Sequence, residues 1–147
     1  MSKYEYFTLA EFDSPDAPGS GEQHMDREFV RRLDLARGAT KSNKFPDGIP
    51  FVIVKGGGYR TPAYNAEIGG AKLSEHMDGQ AADIDYTTIE ERNEILKALV
   101  KLGFNRFGIR TGASGSSIHV DSDKNKKQYI VWGYEGVSPG VNPFALT

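Results

Sequence analysis

Ala81-Ala-Asp-Ile-Asp-Tyr86, followed at once by Thr87-Thr-Ile-Glu-Glu-Arg-Asn-Glu-Ile-Leu-Lys-Ala-Leu-Val-Lys-Leu-Gly103, sets the architecture of the chain. In its first part, apolar and acidic side chains alternate with the period of a strand that has one buried face. Thr88 and Glu91 then form a capping box, and the spacing predicts a helix through Leu102 that Gly103 stops. Beyond it, Phe104–Ile109, Ser117–Asp121 and Gln128–Trp132 read as three strands joined by Gly/Ser-rich and Asp/Lys-rich turns of hairpin length.

Towards the amino terminus, Asp26 caps a predicted helix to Arg37, with Phe29, Val30, Leu33 and Ala36 on one face. Pro50–Val54 is a short β-branched run that reads as a buried strand, ended by Gly56, Gly57 and Gly58. Thr61 with Pro62 opens a two-turn helix to Ile68, and Gly69-Gly70 stops it. The run Asp13–Gly21, rich in Pro and Gly, is expected to be an ordered loop or flap outside regular structure. The expected fold is α+β, a small, mostly antiparallel sheet packed with about three helices. We expect one domain over residues 1–147, with 1–25 as an N-terminal segment and loop and 135–147 as a surface tail.

Composition narrows the chemistry. At 147 residues, 38% hydrophobic, the chain has the size and apolar content of one ordinary domain. Lys and Arg total 18 against 20 Asp and Glu, so nothing draws the chain to nucleic acid or to an anionic membrane, and a monomer is expected. With no cysteine there are no thiol nucleophiles, disulfides or cysteine-based metal sites, so His and carboxylates must hold any metal. Neither a signal-peptide core nor an apolar run of membrane-spanning length is present, which predicts synthesis in the cytoplasm.

Three histidines are available. His76 precedes Asp83 by seven positions, and His119 precedes Asp121 by two. On a strand, residues i and i+2 share a face, so Asp83 pairs with Asp85 and His119 with Asp121. If the two strands lie close, two imidazoles and up to three carboxylates gather, and two His with one carboxylate is a catalytic zinc donor set. The competing reading is a loop histidine and a strand histidine in ordinary hydrogen bonds. Asp83, inside an apolar strand, weakens that reading, because a half-buried carboxylate needs a cation or several donors. His24, beside a helix cap, is expected to titrate in solvent and not to be a ligand.

Gly58-Tyr-Arg-Thr-Pro-Ala-Tyr-Asn65, Gly69-Gly-Ala-Lys-Leu-Ser-Glu-His76, Gly79, Asp83 and Ile118-His-Val-Asp121 together resemble the zinc D-alanyl-D-alanine carboxypeptidases and related peptidoglycan peptidases. The resemblance runs from about Tyr6 to Tyr134. It implies the small α+β fold shared with lysostaphin-type peptidases and the hedgehog domain, with His76, Asp83 and His119 as zinc ligands. By the same resemblance Arg60 contacts substrate and steadies the developing oxyanion, while zinc-activated water cleaves a peptidoglycan stem peptide. Taken alone, Arg60 reads first as a turn residue binding loop carbonyls or a carboxylate, ahead of a catalytic role.

Many relatives carry an acidic residue three positions before the last His ligand; here it is Ser116. Asp121 is the substitute for that general base, with orientation of a ligand imidazole as its other role. The missing acid supports an alternative, a non-catalytic, metal-containing wall-binding module. A wall-acting protein without an export signal fits a phage- or prophage-encoded lytic enzyme.

Ser74 and Glu75 flank His76 and either orient it or line a cleft, with a solvated Glu75 as the default; Asp85 reads as a second partner or a strand-end residue. Tyr59, Trp132 and Tyr134 are candidates to wall a groove, against ordinary core or rim packing. Asp121-Ser-Asp-Lys-Asn125 begins like an EF-hand loop but lacks its Gly and Glu, and Gly56–Gly58 matches no phosphate loop. Lys124, Lys126 and Lys127 read as a solvated turn.

Overall fold

The structure, a computed structural model, describes residues 3–112 and 115–147. Among these it has four α-helices, α1 (Ser20–His24), α2 (Arg27–Gly38), α3 (Pro62–Glu67) and α4 (Ile89–Lys101). The strands are β1 (Val52–Ile53), β2 (Ala81–Asp85), β3 (Arg106–Arg110), β4 (Ser117–Asp121) and β5 (Ile130–Trp132), in the spatial order β1-β2-β4-β3-β5. Every pairing is antiparallel except β3 with β5, which is parallel. The fold is α+β, as expected.

The alternation read from the sequence splits this sheet into two unlike faces. Ala82, Ile84, Phe107, Ile109, Ile118 and Val120 are almost wholly buried, in one core with Phe29, Val30, Leu33 and Ala36 of α2 and Ile95, Leu96 and Leu99 of α4. Each such aliphatic or aromatic side chain contributes roughly 1.5–3 kcal/mol by leaving water. Caps form where expected, Asp26 accepting from the Glu28 and Phe29 amides, Thr61 from Tyr64 and Thr88 from Glu91, but the expected box at α4 does not close, since the Glu91 carboxylate accepts from the Thr87 amide instead of that of Thr88.

Several expectations need correction. Asp13–Gly21 does contain regular structure, since Ser20 and Gly21 open α1. The Asp13 carboxylate accepts from the Gly19 and Gly21 amides at 3.0 and 2.8 Å, and Gly19 takes a left-handed φ of 88° that a side chain would resist. The N-terminal segment and loop contribute Phe7, Phe12 and Met25 to the core. β1 is a two-residue edge strand with Val52 half exposed, and its burial falls instead to Ile49 and Phe51. The Ser122–Tyr129 connection is not a hairpin. Both sides of β4 are taken by β2 and β3, so β5 pairs beyond β3. The C-terminal segment docks as well as lying on the surface, with Pro143 buried and Phe144 against Phe107 at 5.8 Å. Of the Gly/Ser-rich turn before β4, Ala113 and Ser114 lie outside the described residues.

Candidate metal centre

The sheet face opposite the helices carries the polar residues. Its central row crosses four strands: Asp83 on β2 pairs with His119 on β4, His119 with Gly108 on β3, and Gly108 with Trp132 on β5. Cross-strand partners project to the same side, so register alone sets Asp83 beside His119. Over this row folds the loop Gly56–Arg60. A side chain on Gly57 would strike the Asp83 Cβ at 2.8 Å and one on Gly58 the Phe12 backbone at 2.6 Å, so only glycine lets the loop lie so close.

That loop also holds His76, which lies on a separate turn. Ser74 caps the 3-10 turn Glu75–Asp78 by accepting from the His76 amide, and the His76 carbonyl accepts from the Arg60 amide at 3.0 Å. The buried His76 ring donates from Nδ1 to the Gly58 carbonyl at 2.8 Å, which leaves Nε2 bare and 3.4 Å from Asp83 Oδ1. His119 meets the same Asp83 oxygen through Nδ1 at 3.1 Å, and its Nε2 donates to Asp121 Oδ2 at 2.8 Å. Thus in both rings a protein acceptor occupies one nitrogen and the other turns inward toward Asp83. His76, Asp83 and His119 offer ligand atoms all within 4.8 Å of one another. Two inward imidazole nitrogens and a carboxylate oxygen, each ring held from behind, fit a zinc ion in donor type and orientation.

Arg60 braces the carboxylate. Its guanidinium donates to the Gly56 carbonyl at 2.8 Å, to Asn65 Oδ1 at 3.4 Å and to Asp83 Oδ2 at 3.2 Å. These are the loop carbonyl and carboxylate contacts of the turn-residue reading, made beside the cluster. Two of its five N–H groups remain.

Behind His119 lies a second charged layer. Asp121 is buried and accepts from Arg106 Nε at 2.7 Å and from the Asp123 amide at 3.1 Å. Glu75, expected in solvent, is 7% exposed; it pairs with Lys126 and reaches 3.5 Å from His119 Nε2. Lys126 is correspondingly no solvated turn residue, since it also donates to the Leu73 carbonyl at 2.8 Å. Glu75, His119 and Asp121 form another geometrically possible metal set. Arg106 and Lys126 already neutralise its carboxylates, however, and a further cation there would meet their repulsion. Asp121 therefore contacts the edge of the imidazole opposite Asp83, the position of an orienting partner.

Charge follows this layout. Burial pushes the Asp83 carboxyl up, but His76 and His119 against it outweigh that and hold it well below the usual carboxylate range. Burial likewise opposes ionisation of Glu75, and hydrogen bonds from His119 and Lys126 hold it low. For His119, burial disfavours the cation, yet Asp121, Asp83 and Glu75 raise it well above its ordinary value.

The remaining candidates fall elsewhere. His24 is exposed and stacks on Tyr59 at 4.5 Å, and Tyr59 is buried in the core and walls no groove. Asp85 is exposed at its strand end. Ser116 accepts at its carbonyl from the Tyr86 amide. The Gly triplet and Arg106 are contributors that the sequence pattern does not place in the site, and Glu75 takes its cleft reading over the solvated default; three successive glycines after a strand are the signal for a close backbone approach.

Among the described residues no helix is long and apolar enough to cross a membrane. No curated protein matches the sequence. The sequence model of the family described as Peptidase M15 matches residues 23–121, a span that includes Arg60, His76, Asp83, His119 and Asp121. On that match the chain belongs to the peptidase M15 family, the family of the zinc D-Ala-D-Ala carboxypeptidases.

Proposed function

We propose that the chain is a monomeric, zinc-dependent peptidase that hydrolyses peptide bonds in peptidoglycan stem peptides, of the D-Ala-D-Ala carboxypeptidase or endopeptidase type. The observation that carries this reading is the inward turn of His76 Nε2 and His119 Nδ1 onto the Asp83 carboxylate. His76, Asp83 and His119 hold the zinc, which when bound supplies Lewis acidity and an acidified water. Arg60 steadies Asp83 and turns its remaining N–H groups to negative charge developing on the substrate carbonyl. Asp121, assigned from the sequence as the general base, acts as the orienting residue for His119, because its carboxylate meets Nε2 and is committed to Arg106.

That assignment leaves Ser116 in the place of an acidic base, and an absent base lowers turnover by roughly 10²–10⁴. Ser116 also favours a second reading, a metal-bearing module that binds wall without cutting it. Digestion of purified cell wall followed by mass spectrometry separates the two. New stem-peptide termini, lost in His76→Ala together with stoichiometric zinc, are expected; retention on wall with no new termini would establish the module instead.

A further inference from the structure

Two hydrogen-bond donors beside the proposed metal centre are left unused among the described residues. Trp132 ends the central row, and its ring lies 5.5 Å from that of His119, with Tyr134 6.5 Å further on. What lets them approach is Gly108, the residue between Trp132 and His119. A Cβ there would fall on Tyr134 Oη and within 2.7 Å of Trp132 Nε1, so both polar atoms stand directly over the Gly108 backbone. Neither atom hydrogen-bonds to another described residue, and neither is buried from solvent. Buried or half-buried Trp and Tyr normally find a partner for these groups.

Each ring is also backed by a cation. Arg106 lies 5.3 Å from the Trp132 ring centre and Arg110 4.2 Å from that of Tyr134. A guanidinium against an aromatic face draws electron density from the ring and makes its N–H or O–H a stronger donor. Arg106 is already paired with Asp121. Among the described residues the Arg110 guanidinium is ion-paired only with the largely exposed Glu135, at 3.6 Å, so part of its charge is available to an arriving anion. Both aromatic residues lie outside the span 23–121 that carries the family match.

We infer that Trp132 Nε1–H and Tyr134 Oη–H, seated over Gly108, form a two-donor subsite that holds an sp² oxygen of the peptide substrate beside the metal centre. This rests on the peptidase reading for the identity of the ligand, and the oxygen is either the carboxylate that ends the peptide or the carbonyl of a chain that continues. The subsite is a specificity device, and it takes no part in the bond cleavage.

Trp132 is the chain's single tryptophan, so its emission reports on the subsite without relying on catalysis. The test mixes zinc-loaded protein with acetyl-L-Lys-D-Ala-D-Ala, as the free acid and as the C-terminal amide, and reads the emission before turnover. A saturable change is expected in the wild type. Tyr134→Phe, which removes one hydroxyl and keeps the ring, should weaken binding by about 2- to 10-fold, the effect of one hydrogen bond. In turnover it should raise KM by a similar factor and leave kcat and zinc content unchanged, which a purely structural role would not do. Gly108→Ala should weaken binding further by displacing both donors. Tighter binding of the free acid identifies a terminal carboxylate, and equal binding a chain carbonyl. No saturable change in the wild type, or unchanged affinity of Tyr134→Phe for both peptides, overturns the subsite. If the peptides bind through this pair while purified wall stays uncleaved, the peptidase reading fails and the subsite stands.

Discussion

The two faces of one sheet share their strands and do opposite work. Ile118 and Val120 point into the helix-covered core, and His119, between them, points to the polar face with Asp83 and Asp121. The core face is uniform, with apolar groups whose contribution grows with the area they bury. The polar face depends on pairing, because each of its buried charges is held by a named partner: Asp83 by Arg60, Asp121 by Arg106, Glu75 by Lys126. A single residue step along β4 therefore separates stability from chemistry, and substitutions on either side should fail in different ways.

The largest effect is expected on the polar face. Asp83→Ala, which keeps the Cβ packed under Gly57, should abolish stoichiometric zinc and wall cleavage while circular dichroism shows the wild-type secondary structure. Ile118→Ala, one residue from His119 on the other face, should lower unfolding free energy by about 2–5 kcal/mol in urea titration. Its folded fraction should still bind zinc with wild-type stoichiometry; lost zinc there would erase the distinction between the faces. Asp121→Asn should weaken zinc affinity by roughly 10–100-fold, as loss of an imidazole's orienting partner does, measured by competition with a chelator.

The smallest effect is the pH dependence. In the metal-free chain His119 is raised, so its contribution to stability is complete below about pH 6.5 and disappears as pH rises through its folded value. Asp83 is depressed, so its contribution is present above about pH 4 and is lost as pH falls through its folded value. Zinc must displace the proton that His119 keeps, so the stabilisation by added zinc should increase from about pH 5 to about pH 8 in thermal melts. A zinc effect independent of pH would mean that the Nδ1 edge is not where the metal binds.

The sequence carried the alternation that sets Asp83 and His119 each on the polar side of its strand, because strand period and turn residues are local properties, while the register that makes them neighbours is not. Caps on α2, α3 and α4 were legible for the same reason. The parallel pairing of β5 was not, since it depends on both edges of β4 being taken, a fact of topology with no local signal. Nor was the burial of Glu75, which requires Lys126 from a loop 51 positions away. The pair His119 and Asp121 was visible as i and i+2 neighbours. Which ring edge Asp121 would meet was not, because Arg106, fifteen positions away on β3, fixes the carboxylate.

The most direct measurement is anomalous diffraction at the zinc edge from crystals grown with zinc. One peak is expected, in bonding range of His76 Nε2, an Asp83 oxygen and His119 Nδ1. A peak on the opposite edge of His119, between Glu75 and Asp121, or no peak near these histidines, would contradict it.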